Sequence, residues 1–176
     1  MWSQNPSFRF KIEEFRKKKA DHILSKVFVA GGCEWQNNNC YRFLYVYPKG
    51  CELADDHLSV FLRIAKPKSL PIGWKRNVSV YFIVLNHRNI EHCRSNILQG
   101  TFEAEHPGWG YEKLFPLSEL KEEGFMGKDS LIIEVYINVI EAVDGDSEDV
   151  SEKETVDING FQVSASHVSY KNLLFV

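Results

Sequence analysis

The sequence predicts an all-β fold: an antiparallel sandwich of two sheets, with seven or eight strands and one short helix. Short runs of alternating apolar and polar residues dominate the chain, and turn residues separate them. Helical periodicity is scarce and there is no strand–helix–strand rhythm, which argues against a parallel sheet. A length of 176 residues with 44% hydrophobic side chains is enough for one globular domain.

Four of the predicted strands lie in the N-terminal part of the chain. Phe8 to Ile12 alternates apolar with basic side chains, and Ile23 to Val29 is rich in strand-forming residues and ends before two glycines. Cys40 to Tyr47 has apolar side chains on both faces and ends at a Pro-Lys-Gly turn. His57 to Ala65 alternates regularly, which predicts a half-buried strand. Its apolar face consists of Leu58, Val60, Leu62 and Ile64.

The remaining strands and the helix follow in the second half. Asn77 to Asn86 and Leu131 to Ile140 have the strongest strand patterns, and weaker ones are predicted at Ile97 to Glu103 and Glu112 to Phe115. A helix of about two turns is predicted from Ser118 as its N-cap to Gly124 just past its end. The strand at Leu131 to Ile140 should bury one face, formed by Leu131, Ile133, Val135, Ile137 and Val139.

The charge pattern predicts three regions. Residues 141–157 contain eight acids and one lysine, a net charge of −7, whereas the whole chain carries only −3. Such a stretch is typical of a solvated linker. We therefore expect a sandwich domain at residues 8–140, an acidic linker at 141–157 and a C-terminal tail at 158–176. The tail has two strand-prone pieces, Gly160 to Val163 and Leu173 to Val176. It is either disordered or buried against the sandwich or a partner, and we interpret it as the remnant of a longer region.

No pattern predicts catalysis, a metal or a cofactor. The four cysteines lack the close paired spacing of structural zinc sites and are too few to staple a chain of this size. His92 and Cys93 are neighbours on an extended segment, so their side chains point to opposite faces and form no dyad. We expect reduced structural thiols, no enzymatic activity, no cofactor and no metal site. The cysteines are Cys33, Cys40, Cys51 and Cys93.

Aromatic side chains give the positive indication of a binding surface. Phe61 and Arg63 lie on the face of their strand opposite the aliphatic residues, and Trp109 and Tyr111 share a face across Gly110. Aromatic residues on an outward face beside polar neighbours suit a shallow recognition groove. Alternatively, Trp109 and Tyr111 fill the end of the core and Phe61 is an isolated exposed residue. Periodicity leaves both interpretations open.

Several motifs occur in a fixed order between Phe8 and Ile140. They are Phe10–Phe15 (FKIEEF), Val27–Trp35 (VFVAGGCEW), Val46–Gly50 (VYPKG), Asp56–Leu62 (DHLSVFL), Pro71–Trp74 (PIGW), Trp109–Tyr111 (WGY), Phe115–Leu120 (FPLSEL) and Leu131–Val135 (LIIEV). This ordered set resembles the MATH domain family, the meprin and TRAF homology fold, and in particular its plant branch. Val156 to Val163 also resembles the segment that follows this domain in plant proteins that continue into a coiled coil.

The resemblance implies a protein-interaction module that binds short extended peptides, with an adaptor role in ubiquitin-linked or signalling complexes. The anchoring aromatics of characterised family grooves fall on the strand matching Leu58 to Ile64 and on the Trp-Gly-aromatic segment. An alternative that the resemblance also implies is the recruiting fragment of a ubiquitin-specific protease whose catalytic part lies outside these residues. The implied peptide-binding residues are Phe61, Arg63, Trp109, Gly110 and Tyr111, with Val80 where the family has a groove aromatic.

The expected partners are other proteins, recognised through short linear peptides. No apolar run approaches the length of about 18 residues that a membrane helix needs, and the N-terminus resembles no secretory signal. The body of the chain is too weakly basic to predict nucleic-acid binding. We expect an intracellular protein, cytoplasmic or nuclear, that is not secreted and binds no membrane. The sequence shows no coiled coil and leaves the oligomeric state open.

Overall fold

The computed structural model describes residues 2–30, 41–122 and 128–143, together with the backbone of two strands at 155–158 and 161–164. The chain divides into two units, Met1–Gly145 and Asp146–Val176. The first unit contains two antiparallel sheets, and the second contains a pair of short strands. The predicted fold class, an antiparallel β-sandwich with one short helix, is confirmed for the first unit.

The first sheet has five strands, in the order β1-β9-β5-β6, with β7 also paired to β5. Strands β5 and β9 form its centre, because their 12 and 14 residues make the two longest strands and pair along most of their length. Every pair in this sheet is antiparallel. The strands are β1 (Phe8–Glu13), β5 (Lys75–Asn86), β6 (Glu91–Arg94), β7 (Leu98–Phe102) and β9 (Ser130–Val143).

The second sheet has four strands in the order β2-β3-β4-β8, so that β8 lies at one edge. A single helical turn, α1 (Leu117–Leu120), follows β8 directly, and short 3-10 turns occupy Phe15–Lys17 and Pro67–Ser69. The strands are β2 (Ile23–Leu24), β3 (Arg42–Tyr47), β4 (His57–Ile64) and β8 (Gly108–Pro116).

The two sheets enclose the core with the faces that the alternation predicted. On β4, Leu58, Val60 and Leu62 are fully buried, and on β9 Leu131 and Ile133 are fully buried as well. The second face of β9 is also covered, which the sequence did not predict. There a smaller apolar cluster packs on the outside of the first sheet and contains Ile83, Leu85, Ile132 and Tyr136, with Trp2 and Tyr81 against it.

The strand predicted at Ile23 to Val29 is wrong in its extent, since β2 ends at Leu24. Ser25 and Phe28 donate their backbone N–H groups to the carbonyls of Leu44 and Arg42, respectively. Two residues of the chain therefore lie opposite the single residue Phe43, which is the geometry of a β-bulge. Because the side chains beyond the bulge change face, the regular alternation expected here is interrupted.

The helix is shorter than predicted and begins differently. It starts at Leu117, with Pro116 at the N-cap and no capping side chain, so the assignment of Ser118 as N-cap is wrong. The N–H of Leu117 donates to the backbone oxygen of Asp56 at 2.9 Å, so a contact distant in sequence satisfies one of the free N–H groups of the first helical turn. Gly124, the predicted stop, lies outside the described residues.

The C-terminal boundaries also differ from the predicted ones. Strand β9 continues to Val143, and β10 (Thr155–Ile158) begins inside the range assigned to the acidic linker. β10 pairs antiparallel with β11 (Phe161–Ser164), with Ile158 opposite Phe161. The second strand-prone piece of the tail, Leu173 to Val176, lies outside the described residues.

Candidate functional site

Strand β8 leaves one of its backbone edges free in the part of the chain that the structure describes, because it pairs only with β4. The N–H of Ile64 donates to the carbonyl of Pro107 at 2.8 Å. This bond shows which residues of β8 direct their backbone groups towards β4. Alternate residues of an antiparallel strand direct both backbone groups to the same side. Towards β4 point the backbone groups of Pro107, Trp109 and Tyr111. The N–H and C=O groups of Gly108 and Gly110 therefore point towards the free edge.

The outer face of this edge is covered by two side chains of β4. Phe61 lies opposite Gly110, and a Cβ atom on that glycine would be 2.9 Å from the Phe61 ring carbon Cδ1. Arg63 lies opposite Gly108 in the same way, with its Cγ 2.9 Å from the corresponding position. The two glycines therefore give Phe61 and Arg63 the space to lie flat over β8.

Beside Phe61 the outer face forms a shallow depression of ≈ 280 Å³. Tyr47, Leu53 and Glu112 contribute to its walls, and the side chain of Leu53 is 73% exposed. Burial raises the pKa of Tyr47, so its hydroxyl stays protonated and can donate a hydrogen bond at neutral pH. The depression combines an apolar surface with two acidic side chains, Glu52 and Glu112, and one basic side chain, Arg63, which suits a side chain of a polypeptide.

A row of aromatic rings continues from the depression across β3. The ring centre of Tyr47 lies 6.1 Å from that of Phe61, in an edge-on contact, and 5.0 Å from that of Tyr45, in a tilted contact. The ring of His22 stacks on Tyr45 with 4.6 Å between the ring centres. The guanidinium of Arg63 lies 4.6 Å from the centre of the Tyr45 ring, a cation–π distance. Tyr45 and Tyr47 were not among the predicted site residues, although the apolar character of both faces of β3 was the available signal.

The opposite face of β8 carries Trp109 and Tyr111, which share that face as predicted. Trp109 is 38% exposed, and its Nε1–H donates to the carbonyl of Thr101 at 2.9 Å. The hydroxyl of Tyr111 donates to the carbonyl of Asn96 at 2.9 Å. A Cβ atom on Gly100 would lie 2.8 Å from the Trp109 ring, so that glycine is the floor on which the indole rests. Both aromatics are therefore held along the β7 side of β8.

The structure separates the predicted site residues into two groups on opposite faces of β8. It also shows that one predicted residue, Val80, is inaccessible. Phe61 is on the outer face of the second sheet, whereas Trp109 and Tyr111 pair with the buried residues Leu62 and Val60 and lie on the other face. The sequence left open whether the two aromatic groups share a face, and the register between β4 and β8 places them on opposite faces. Val80 is 1% exposed within the core, so its side chain is inaccessible and it does not belong to the site.

The described cysteines do not form a nucleophilic site. Cys93 donates its thiol to the carbonyl of Leu114 at 3.3 Å, and burial raises its pKa, which disfavours the reactive thiolate. Cys51 is a free thiol in the β3–β4 turn, and Cys33 and Cys40 lie outside the described residues. Among the side chains that the structure describes, no three His, Cys, Asp or Glu residues converge as metal ligands would.

Comparison with known protein families decides the affiliation. The family model described as the MATH domain matches residues 7–137, about three quarters of the chain. The chain belongs to the MATH domain family. MATH domains are protein-interaction domains, so the coarse function expected from the motifs, and the motif-based recognition itself, are confirmed.

Three curated relatives from Arabidopsis thaliana illustrate the relationship. The MATH domain and coiled-coil domain-containing protein At2g42460 is 39% identical over 170 residues, which cover 96% of this chain and 53% of the relative. The corresponding protein At3g58250 is 36% identical, with the same coverage of each chain. Protein RESTRICTED TEV MOVEMENT 3 is 34% identical over 93% of this chain and 54% of its own length.

The chain spans about half the length of the curated relatives that it matches. An alignment that covers 96% of the chain must extend well beyond residue 137, so the likeness to plant MATH proteins includes part of the C-terminal unit. The names of these relatives denote MATH domain proteins rather than enzymes. No helix in the described ranges is both long and apolar enough to span a bilayer.

Proposed function

We propose that this MATH domain binds an extended segment of a partner protein as an added strand along the free edge of β8. The observation that carries the proposal is the edge itself, where the backbone groups of Gly108 and Gly110 point away from β4. An extended peptide can pair with such an edge through its own backbone, whatever its side chains are. The two glycines present no side chain at the edge, so a peptide can approach closely.

The separation of the aromatics onto two faces supports this mode of binding. Successive side chains of an added strand point to opposite faces of the sheet. One set of peptide side chains would reach the depression beside Phe61, and the alternate set would lie against Trp109 and Tyr111. Two anchors on opposite faces are therefore what a strand at this edge requires, whereas a ligand lying on one face would contact only one of them.

The charged groups around the edge suggest which peptides fit. Arg63 is held above Tyr45 and lines the depression, and its guanidinium is available to a carboxylate or carbonyl of the ligand. Lys113 is exposed on β8 next to the same edge. Glu52 and Glu112 also line the depression. We infer a preference for an apolar residue at the position over Phe61, with a polar or acidic residue placed at Arg63 and away from the two carboxylates.

The experiment begins with a peptide array that identifies a ligand, followed by calorimetric titration of the whole chain. Phe61→Ala and Trp109→Ala should each weaken binding by about tenfold, since truncating an aromatic anchor typically costs one to two kcal/mol. Tyr81→Ala is the matched control, because Tyr81 is a half-buried ring of β5 that packs against the apolar cluster on the outside of the first sheet and lines no part of the proposed site. Circular dichroism must show that each variant is folded.

N-methylation of the peptide tests strand addition directly. A strand that pairs with β8 uses the N–H groups of every second residue. Methylation of the N–H groups in one alternate set of residues should therefore abolish binding, and methylation of the other set should be tolerated. Equal effects of methylation in both sets would reject the edge. Unchanged affinity in the Phe61→Ala and Trp109→Ala double variant would reject the site as a whole.

The coiled-coil segments named in the relatives suggest how such a domain works in a longer protein. Groove binding of a single short peptide is expected to be micromolar, and linking several domains raises the effective affinity without new contacts. We infer an adaptor role of this kind. A ubiquitin-based activity probe tests the alternative of a protease fragment, because covalent labelling of any cysteine in the chain would contradict a purely binding role.

A further inference from the structure

A second cavity lies at the other end of β8, where the strand runs into α1. It has a volume of ≈ 460 Å³ and is bounded by the 3-10 turn after β1, the β3–β4 turn and the helix. Trp109 is near the beginning of β8 and Pro116 at its end, so a strand of this length places the cavity roughly 20 Å from the Trp109 anchor. The cavity is therefore distant from the Trp109 anchor, and it shares no lining residue with the depression beside Phe61, although both border the β3–β4 turn.

The floor of the cavity is apolar and fixed. It is formed by Phe15, Pro48, Leu117 and Leu120, of which Phe15 and Leu120 are 6% and 1% exposed and belong to the core. The N–H of Phe15 donates to the carbonyl of Asp129 at 2.9 Å. Leu117 is held by its bond to the β3–β4 turn, described above. Because the helix is bonded to the β3–β4 turn, and Phe15 and Leu120 are packed in the core, the cavity is preformed, and an entering side chain has little ordering cost to overcome.

The rim of the cavity is strongly basic. Arg16, Lys18, Lys49 and Lys121 line it, against the single acid Asp55. None of these four cations takes part in an ion pair among the described residues. Lys49 donates to the backbone oxygen of Lys19 at 3.0 Å, which positions its ammonium group without neutralising it. An apolar floor under an unbalanced net charge of +3 is complementary to an anionic ligand that carries an apolar group.

We propose that this cavity, which we call the basic cavity, is a second docking site, and that it binds a partner polypeptide in which one bulky apolar side chain is flanked by acidic residues. Its volume lies within the range of about 300 to 1,000 Å³ that is typical of ligand sites. The apolar side chain lies in the cavity over this apolar floor, and the flanking carboxylates meet the cations of the rim. A flat anionic membrane surface would satisfy the charge but would leave the concave floor empty.

The probe is a blocked pentapeptide, acetyl-Glu-Asp-Phe-Asp-Glu-amide, titrated into the full-length, ¹⁵N-labelled chain and followed by NMR. We expect amide shifts at Lys18, Lys49 and Lys121 and none at Gly108 or Gly110. Two control peptides separate the contributions of charge and apolar contact: one replaces the acids by their amides, and the other replaces Phe by Ala. Each control should bind at least about fivefold more weakly than the probe.

A pair of charge-matched variants tests the rim. Lys18→Gln combined with Lys121→Gln should lower the affinity for the probe roughly tenfold, because two ion contacts are lost. Lys26→Gln combined with Lys66→Gln removes the same charge from exposed positions that do not line the cavity and should change affinity less than about twofold. Both variants leave the floor intact, and their spectra report whether they are folded.

Four results would overturn the proposal. They are absence of binding to the wild-type chain, equal binding of the amide control peptide, equal weakening by the two double variants, and shifts centred on β8 instead of the cavity. Binding of phosphatidylserine vesicles with loss of the same cavity signals, but no binding of the probe, would instead assign the rim to a membrane. Because Trp109→Ala should leave probe binding unchanged, failure of the edge site and failure of the basic cavity are distinguishable.

Discussion

Replacing Gly110 by alanine is expected to destabilise the sandwich at the centre of the proposed edge site. The Cβ atom of an alanine would lie 2.1 Å from the backbone oxygen of Val60 and 2.5 Å from the Cα of Phe61. Both of these atoms belong to the β4 backbone, so no side-chain rotation relieves the overlap. Either the pairing between β4 and β8 moves apart locally, or the β8 strand rotates and carries its edge groups with it.

Two opposing effects determine how much the Gly110→Ala substitution changes the free energy of unfolding. Alanine in a strand loses less backbone entropy than glycine, which favours the variant by about 0.5 to 1 kcal/mol. Forcing an extra methyl group into a packed region typically costs about 1 to 3 kcal/mol, and a contact with backbone is at the upper end of that range. The overlap therefore outweighs the propensity gain, and we expect a net loss of about 1 to 2 kcal/mol in the free energy of unfolding.

Gly108→Ala is the matched control, since it is the same change on the same strand and the same edge. Its Cβ would meet the Cγ of Arg63 at 2.9 Å, with ordinary 3.4 Å contacts to the Arg63 Nε and the Leu62 oxygen. The Arg63 side chain is exposed and can shift away at the cost of its contact with Tyr45, so this variant should lose less stability than Gly110→Ala, by about 1 kcal/mol or more.

Urea unfolding monitored by circular dichroism measures both variants. With a slope of about 1 to 3 kcal/mol per molar urea, the Gly110→Ala midpoint should fall by about 0.5 to 1 M. The reasoning is refuted if Gly110→Ala is as stable as Gly108→Ala or more so, because the overlap with the β4 backbone would then be absent.

Three further predictions concern buried and half-buried polar groups. Ser25→Ala should lower stability by about 1 to 3 kcal/mol in urea unfolding, because the Ser25 hydroxyl accepts a bond from the buried N–H of Leu44 at 2.9 Å; a neutral result would mean that water replaces it. Tyr111→Phe removes the bond to the Asn96 carbonyl and should cost about 0.5 to 1 kcal/mol, with larger losses indicating that the ring has moved. Since burial raises the pKa of Cys93 above its ordinary value of 9.0, the thiolate is scarce at pH 8; iodoacetamide labelling followed by mass spectrometry should be much slower in the folded chain than in urea and should accelerate as pH rises. Equal labelling rates in the two states would contradict that environment.

The main strands could be predicted because their alternation reports burial directly. In β4 and β9 the apolar residues recur every second position, and burying one face requires that pattern in any two-layer sandwich. Strand β6 (Glu91–Arg94) could not be found in this way. Its sequence is polar and mostly exposed, and it is a strand only because it pairs with the edge of β5. Its hydrogen bonds, rather than its side chains, decide its conformation.

The candidate site shows the same division. Phe61, Trp109 and Tyr111 were predicted as site residues from their positions beside polar residues and from the family resemblance, and this assignment stays a prediction. The sequence did not relate the face of Phe61 to the face of Trp109 and Tyr111, and the register between β4 and β8 places them on opposite faces. Val80 was predicted as a site residue, but its side chain is buried in the core. The sequence places it on a strand, but which face of that strand contacts the core depends on which sheet covers it.

The amino-acid sequence by itself determined the class of fold, the family and the residues that form the core, because local alternation and ordered motifs depend only on neighbours along the chain. The tertiary structure alone decided which backbone groups remain unpaired at the edge of β8, which glycines make room for Phe61 and Trp109, and that four separated cations meet around one apolar floor. These features depend on distances between strands and turns far apart in sequence, and no local pattern encodes such distances.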